Sequence, residues 1–323
     1  MVSVFRKNDV INFFLLLPYT IVLRAYSLIY PSAYQIEQSD TVLAKGLFTL
    51  FDNPFLQGLI GIILVFIQAL IINVLANKYR LHRRPTALAG MVYVILVSFL
   101  PSFQILTPSL IASTFILFAT YSVFSTYKLN NAVKNILNSS LACAIATLIY
   151  APFVITILPL FVGLAMLRNF RMQERLQFLV GFLTMFWVAA AFLFFFDLLD
   201  WNIITQLQLP GVVSNFRQLS MEEIWPLSIF VLMVLLSLLN YYNYKKKKVI
   251  EIRKKIDFFY WLLLSAIIPL LFFPVITQQY YLFTSLSFSI FLSMSILLIK
   301  NKTLAEMIHL VAISGIFYYQ YVT

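Results

Sequence analysis

The sequence predicts an all-α fold, a polytopic integral membrane helix bundle of about 11 membrane segments. Its amino terminus is expected inside and its carboxyl terminus outside. Three observations carry this. Apolar runs long enough to cross a bilayer follow one another along most of the 323 residues. Hydrophobic residues make up 62% of the chain and charged residues 11%, and mean hydropathy is +0.91; a soluble domain is about a quarter charged. The Lys and Arg fall in every second gap between the runs, which is how cytoplasmic loops are marked.

Residues 11–30 form the first span. Arg6 and Lys7 precede it as they would a signal peptide, but the apolar run continues past Arg24. That length makes it a retained helix. Residues 55–76, 87–106 and 109–127 are the next spans. Residues 135–167 are too long for one helix and short for two.

Charge decides between them. With the amino terminus inside, Lys78, Arg80, Arg83 and Arg84 lie inside, as do Lys128 and Lys134. A single crossing over 135–167 would put Arg168, Arg171 and Arg175 outside and reverse every later basic loop. A hairpin that goes out and returns keeps all 23 Lys and Arg inside except Arg24, Lys45 and Arg217. Pro152 and Pro159 interrupt the run near its middle, where a turn is needed. Two short helices are expected, 136–151 and 153–167. Spans 176–196, 224–243, 258–276, 281–299 and 303–321 complete a single integral membrane domain over 1–323.

The two long external loops, 31–54 and 197–223, are semi-apolar. Val42, Leu43, Leu47, Leu50 and Phe51 recur near helical spacing, and Trp201, Ile204, Leu207 and Leu209 do so in the second loop. Each loop is expected to lie along the membrane surface as an interfacial helix.

Several function classes are excluded or disfavoured. One cysteine, Cys143, permits no intrachain disulfide and no Cys-based metal site. Two histidines, His82 and His309, cannot build a four-His iron centre. No phosphate loop, dinucleotide fingerprint or H-E-x-x-H is present. No metal site is predicted, and the sequence does not identify a cofactor. The net charge of +11 is accounted for by orientation. Membrane lipids are therefore the expected electrostatic partners, with other envelope proteins as further partners and no nucleic acid.

The residues open to chemistry are few. Glu37 and Asp40 sit just after the first span. A carboxylate at that lipid–water boundary serves as general base or metal ligand toward a lipid-linked donor. An acidic external loop set by orientation alone gives the same pattern. Arg24 lies within the first span, about two turns from its outer end. Its planar fork suits a lipid phosphate; snorkelling outward, or pairing with Glu37 or Asp40, are the alternatives. Gln57, Gln68 and Asn73 on the second span suit hydrogen bonds between helices. Glu306 and His309, one turn apart, suit either a proton relay or a structural pair. Lys245–Lys248 with Arg253–Lys255 reads as an orientation-setting loop that also grips anionic lipid.

Three stretches carry a resemblance. Residues 68–82 run QALIINVLANKYRLH, residues 93–101 YVILVSFLP, and residues 166–175 MLRNFRMQER ahead of an apolar span near Gly181. Over most of 1–200 the chain resembles a family of polytopic inner-membrane proteins of Bacteroidota. The resemblance implies the bacterial inner membrane and names no reaction. In architecture it is similar to the glycosyltransferase-C superfamily. The shared features are acids in the first external loop (Glu37, Asp40), a third span ended by Pro101, and the helical hairpin at 135–167. That likeness implies an enzyme acting on a lipid-linked substrate at the outer face. The alternative is a non-enzymatic subunit or scaffold of an envelope assembly or export complex.

Overall fold

The computed structural model describes residues 1–7, 9–36, 40–99, 103–168, 171–196, 232–246, 248–272 and 281–321. Among them every regular element is helical and no strand occurs. Three helices are long and apolar enough to cross a membrane: Pro54–Lys78, Pro108–Ser125 and Met172–Phe195. Shorter apolar helices accompany them.

The chain opens with α1 (Val2–Phe5) and α2 (Val10–Leu23), joined where the Asn12 amide donates to the carbonyls of Val4 and Lys7. The first apolar run does not form one rod. It breaks at Arg24, and α3 (Ala25–Ile29) continues it. In the first external loop α4 (Val42–Leu50) forms at the apolar repeat read from the sequence. Thr41 caps it by accepting from the Ala44 N–H, and Ala44 and Phe48 face inward while Leu50 is exposed.

The next helix, α5 (Pro54–Lys78), has 25 residues and is about 37 Å long. Asn53 caps it and Pro54 takes the first position, where a missing N–H costs nothing. The third apolar run was expected to be helical over 87–106, yet α6 (Leu88–Ser98) is shorter. Proline disfavours helical geometry in the residue before it, so a helix approaching Pro101 ends early. The freed carbonyls at its end become the site described below.

Helix α7 (Pro108–Ser125) is capped by Thr107 and deeply buried. Then come α8 (Val133–Ile149), a 3-10 turn (Ala151–Thr156) and α9 (Ile157–Leu167). Pro152 lies in the turn, but Pro159 sits in the first turn of α9, where its missing N–H is tolerated. At the end of α9, Arg168 donates to the carbonyls of Thr126 and Leu129, ahead of α8. The chain therefore returns to the end of the bundle from which α8 set out.

Helix α10 (Met172–Phe195) packs on α8 through Gly181, where a β-carbon would collide with Ser140. Helical residues 232–239 lead to α11 (Tyr241–Lys245). The last three helices are α12 (Ile250–Phe272), α13 (Tyr281–Leu298) and α14 (Lys302–Tyr321). Helix α12 starts well before the apolar run expected at 258–276. It carries Arg253, Lys254 and Lys255 on its first two turns. The second external loop, with Trp201, Ile204, Leu207 and Leu209, lies outside the described residues.

Two amides on α5 set its contact with α6. Asn73 accepts from the Gly90 N–H at 2.8 Å, one of the orphan donors of the first turn of α6. Asn77 exchanges two hydrogen bonds with the Thr86 backbone. A β-carbon on Gly90 would stand 2.6 Å from the Ala69 carbonyl oxygen, so only glycine allows this approach.

Hydrogen bonds gather the basic segments at one end of the bundle. The Ala87 N–H donates to Phe5. Arg6 donates to the last carbonyls of α13, at Ile296 and Ile299. Lys248 donates to Arg80 and His82. Arg168 ties residues 126–129 to Glu174. The opposite end holds the Arg24 cluster, Asp40 and the 3-10 turn, where Thr41 donates to Ile149.

Candidate functional site

The end of α6 should leave unpaired carbonyls in an apolar interior, where each costs free energy. Arg24 supplies the donors. It is fully buried. Its guanidinium donates to Phe103 at 2.8 Å, to Gln104 at 2.7 Å and to Val97 at 3.5 Å. The Gln104 and Gln320 amides both donate to Leu23 and Ser98 carbonyls. Residues from α2, α6, the following turn and α14 thus meet at one knot. The same break that ends α2 at Leu23 places Arg24 where it can reach them. A phosphate would compete with these carbonyls for the same N–H groups.

Asp40 is 7% exposed. The Tyr34 hydroxyl donates to both its oxygens, at 3.0 and 3.1 Å. Tyr34 is itself fixed, since its N–H donates to Gln57, whose amide donates to Phe51. The Tyr34 ring packs on Phe48 of α4. Asp40 precedes α4 and is not on a helical face. Glu37 lies outside the described residues.

Glu306 and His309 turn to different partners. Glu306 accepts from the Met1 ammonium at 2.9 Å and from the Val2 and Ser3 N–H groups, capping α1. His309 Nε2 meets the Tyr19 hydroxyl at 2.9 Å, which fixes α14 to α2. Gln68 donates to Leu110, Ser113 and Thr114 and accepts from Tyr93, joining α5, α6 and α7. Gln57, Gln68 and Asn73 all tie segments together.

Two features had no clear signal in the sequence. One is a buried lysine. Lys255 lies 4.0 Å over the Tyr79 ring and is paired with Glu251. Its place in a basic run concealed it. The other is a groove of about 510 Å³ between α6, α13, α14 and residues 233–240. Met91, Phe99, Phe288, Leu292 and Ile308 make it apolar, with His309 and Asn240 among the few polar groups. Among the described residues no group of three or more His, Cys, Asp or Glu is placed to hold a metal. Chemically the structure offers an apolar chain-sized groove and, apart from it, a shielded carboxylate at one end of the bundle and a cluster of cations at the other.

No protein-family model matches this chain, and no curated protein and no solved structure is significantly similar to it.

Proposed function

We propose that this is a multi-pass protein of the bacterial inner membrane, crossing about 11 times with its amino terminus inside. In this reading it holds the apolar tail of a lipid-linked substrate in the groove between α6, α13 and α14. The groove is the observation that carries the reading. Its size and apolar walls suit an acyl or prenyl chain, as binding clefts of roughly 300–1,000 Å³ do for small ligands. Glu37 and Asp40 then supply the outer-face carboxylates of a glycosyltransferase-C-like enzyme. The three helices long and apolar enough to cross a bilayer support a membrane location.

A second reading rests on a different observation. The outer half of α10 presents exposed aromatics, including Trp187 at 77% and Phe195 at 80%. That flank suits a neighbouring subunit, and the chain then acts as a scaffold of an envelope complex.

Photolabelling tests the groove. A lipid with a photoreactive acyl chain should label Phe99 and Leu292, and Ala312→Trp, which fills the groove, should remove most of that labelling. Labelling that is unchanged by the tryptophan, or confined to α10, would refute the groove reading. Orientation is tested separately with single cysteines in a Cys143→Ser background. An impermeant thiol reagent added outside should reach a cysteine at Asn53, and not one at Asn131 or Asn301. Labelling at Asn301 from outside would overturn the hairpin at 135–167 and with it the orientation of the carboxyl-terminal half.

A further inference from the structure

At the basic end of the bundle a concavity of about 530 Å³ opens between the α5–α6 turn and the α11–α12 turn. Lys78, Arg80, Arg83, Lys246 and Lys248 line it, with Glu251 as its only acid among the lining residues. Glu251 is already committed to buried Lys255. No described carboxylate pairs with Arg80, Arg83 or Lys246. The basin therefore collects several cations without their counter-ions. Burial, with Arg83 alongside, lowers the Lys248 pKa from its ordinary value. His82 adds no charge at neutral pH. Burial first, and then Lys248, pull its pKa down to about 4.

The basin is built rather than incidental. Arg80 follows the end of α5 with φ at +51°, in the left-handed region where glycine is favoured. The Leu81 N–H donates back to Ala76, closing the helix end around it. Lys128 takes the same conformation after α7; Arg80 in addition lines a cavity with other cations. An arginine at a glycine position keeps a strained backbone and gains a guanidinium in the basin. Lys248 locks the wall by donating to the Arg80 and His82 carbonyls at 3.1 and 2.9 Å. Val249 and Ile250, exposed at 63% and 69%, put apolar side chains beside the rim, as a membrane surface requires.

We infer that this basin is a phosphate-binding site, with Arg80 and Arg83 as the bidentate donors to a phosphomonoester, phosphodiester or diphosphate group. Arginine forks match phosphate geometry, and lysines add point charge around them. Two sources supply this chemistry, the headgroup of an anionic phospholipid and a soluble phosphate compound. The site is separate from the apolar groove and does not depend on it. The orientation proposed above decides only which leaflet it faces.

The test uses the full chain in nanodiscs. In phosphatidylglycerol the wild-type melting temperature should exceed that in phosphatidylcholine, and Arg80→Gly with Arg83→Gln should abolish the difference. That outcome supports the lipid source. If sodium pyrophosphate instead stabilises wild type in phosphatidylcholine, and not the double variant, the soluble source is supported. Affinity for whichever probe binds should fall on the order of 30-fold in the double variant, about fivefold per charge. Arg80→Gly relieves the left-handed strain, so its melting temperature in phosphatidylcholine should hold or rise. Loss of binding is then not loss of fold. Stabilisation by neither probe, or stabilisation equal in the double variant and wild type, would overturn the site.

Discussion

Arg24→Met should unfold this protein more readily than any single change at its surface. The methionine fills similar space, yet it leaves the carbonyls of Phe103 and Gln104 without their charged donor. They sit in an apolar interior, where water does not replace it. Leaving a buried acceptor unsatisfied costs about 1–3 kcal/mol, so stranding these two carbonyls should cost roughly 2–6 kcal/mol. Arg24→Lys should fall between wild type and methionine, because a single nitrogen replaces the two from which Arg24 reaches Val97 on one side and Phe103 and Gln104 on the other. Unfolding of the purified protein by titration with a denaturing detergent would read both. The measurement also separates two roles for Arg24. A clamp predicts lost stability in both variants. A residue whose work is to hold a lipid phosphate predicts unchanged stability and lost function, and an unchanged midpoint for Arg24→Met would rule out the clamp.

The double variant Glu37→Gln, Asp40→Asn should lose function while keeping normal membrane abundance, if the outer-face enzyme reading holds. An amide keeps size and hydrogen bonding but accepts no proton. Loss of a general base typically costs about 10²–10⁴ in rate. Asp40 makes the result interpretable. The Tyr34 hydroxyl donates to its oxygens, and an asparagine oxygen still accepts that bond, so the fold should survive. Complementation of a deletion strain, with an immunoblot for abundance, measures both quantities. Full complementation by the double variant would end the enzyme reading through this loop. The scaffold reading through α10 would then lead. Tyr34→Phe adds a control, since it removes the donor and leaves the carboxylates in place.

Much of the fold was legible in the sequence because its causes are local. A run of apolar residues must satisfy its own backbone in a bilayer, and a helix is the way a single segment does so. Among the described residues, helices accordingly form at the apolar runs. Their ends were less legible. Helix α6 stops at Ser98, and α12 begins at Ile250, ahead of its apolar stretch. The amides on α5 were readable as ties between helices, although their partners were not.

The candidate site was only partly visible. Arg24 stood out because an arginine within an apolar run must be accounted for. Its partners are backbone carbonyls some 73 to 80 residues away, and carbonyls carry no mark in a sequence. Glu306 looked like half of a pair with His309, yet it accepts from the Met1 ammonium 305 residues distant. Spacing places two residues on one face but does not say which other helix faces them.

By itself, then, the sequence determined the helical class, the order of the apolar segments and the segregation of basic from apolar stretches. Hydrophobicity and charge act on each segment separately, so they can be read one segment at a time. Only the tertiary structure decided that Arg24 closes the end of α6, that Tyr34 covers Asp40, and that Arg80 and Lys248 share a basin. Those outcomes depend on how each helix is rotated against its neighbours. Rotation is fixed by close packing and hydrogen bonds among residues far apart in the chain, such as Gly90 against Ala69 and Lys248 against His82.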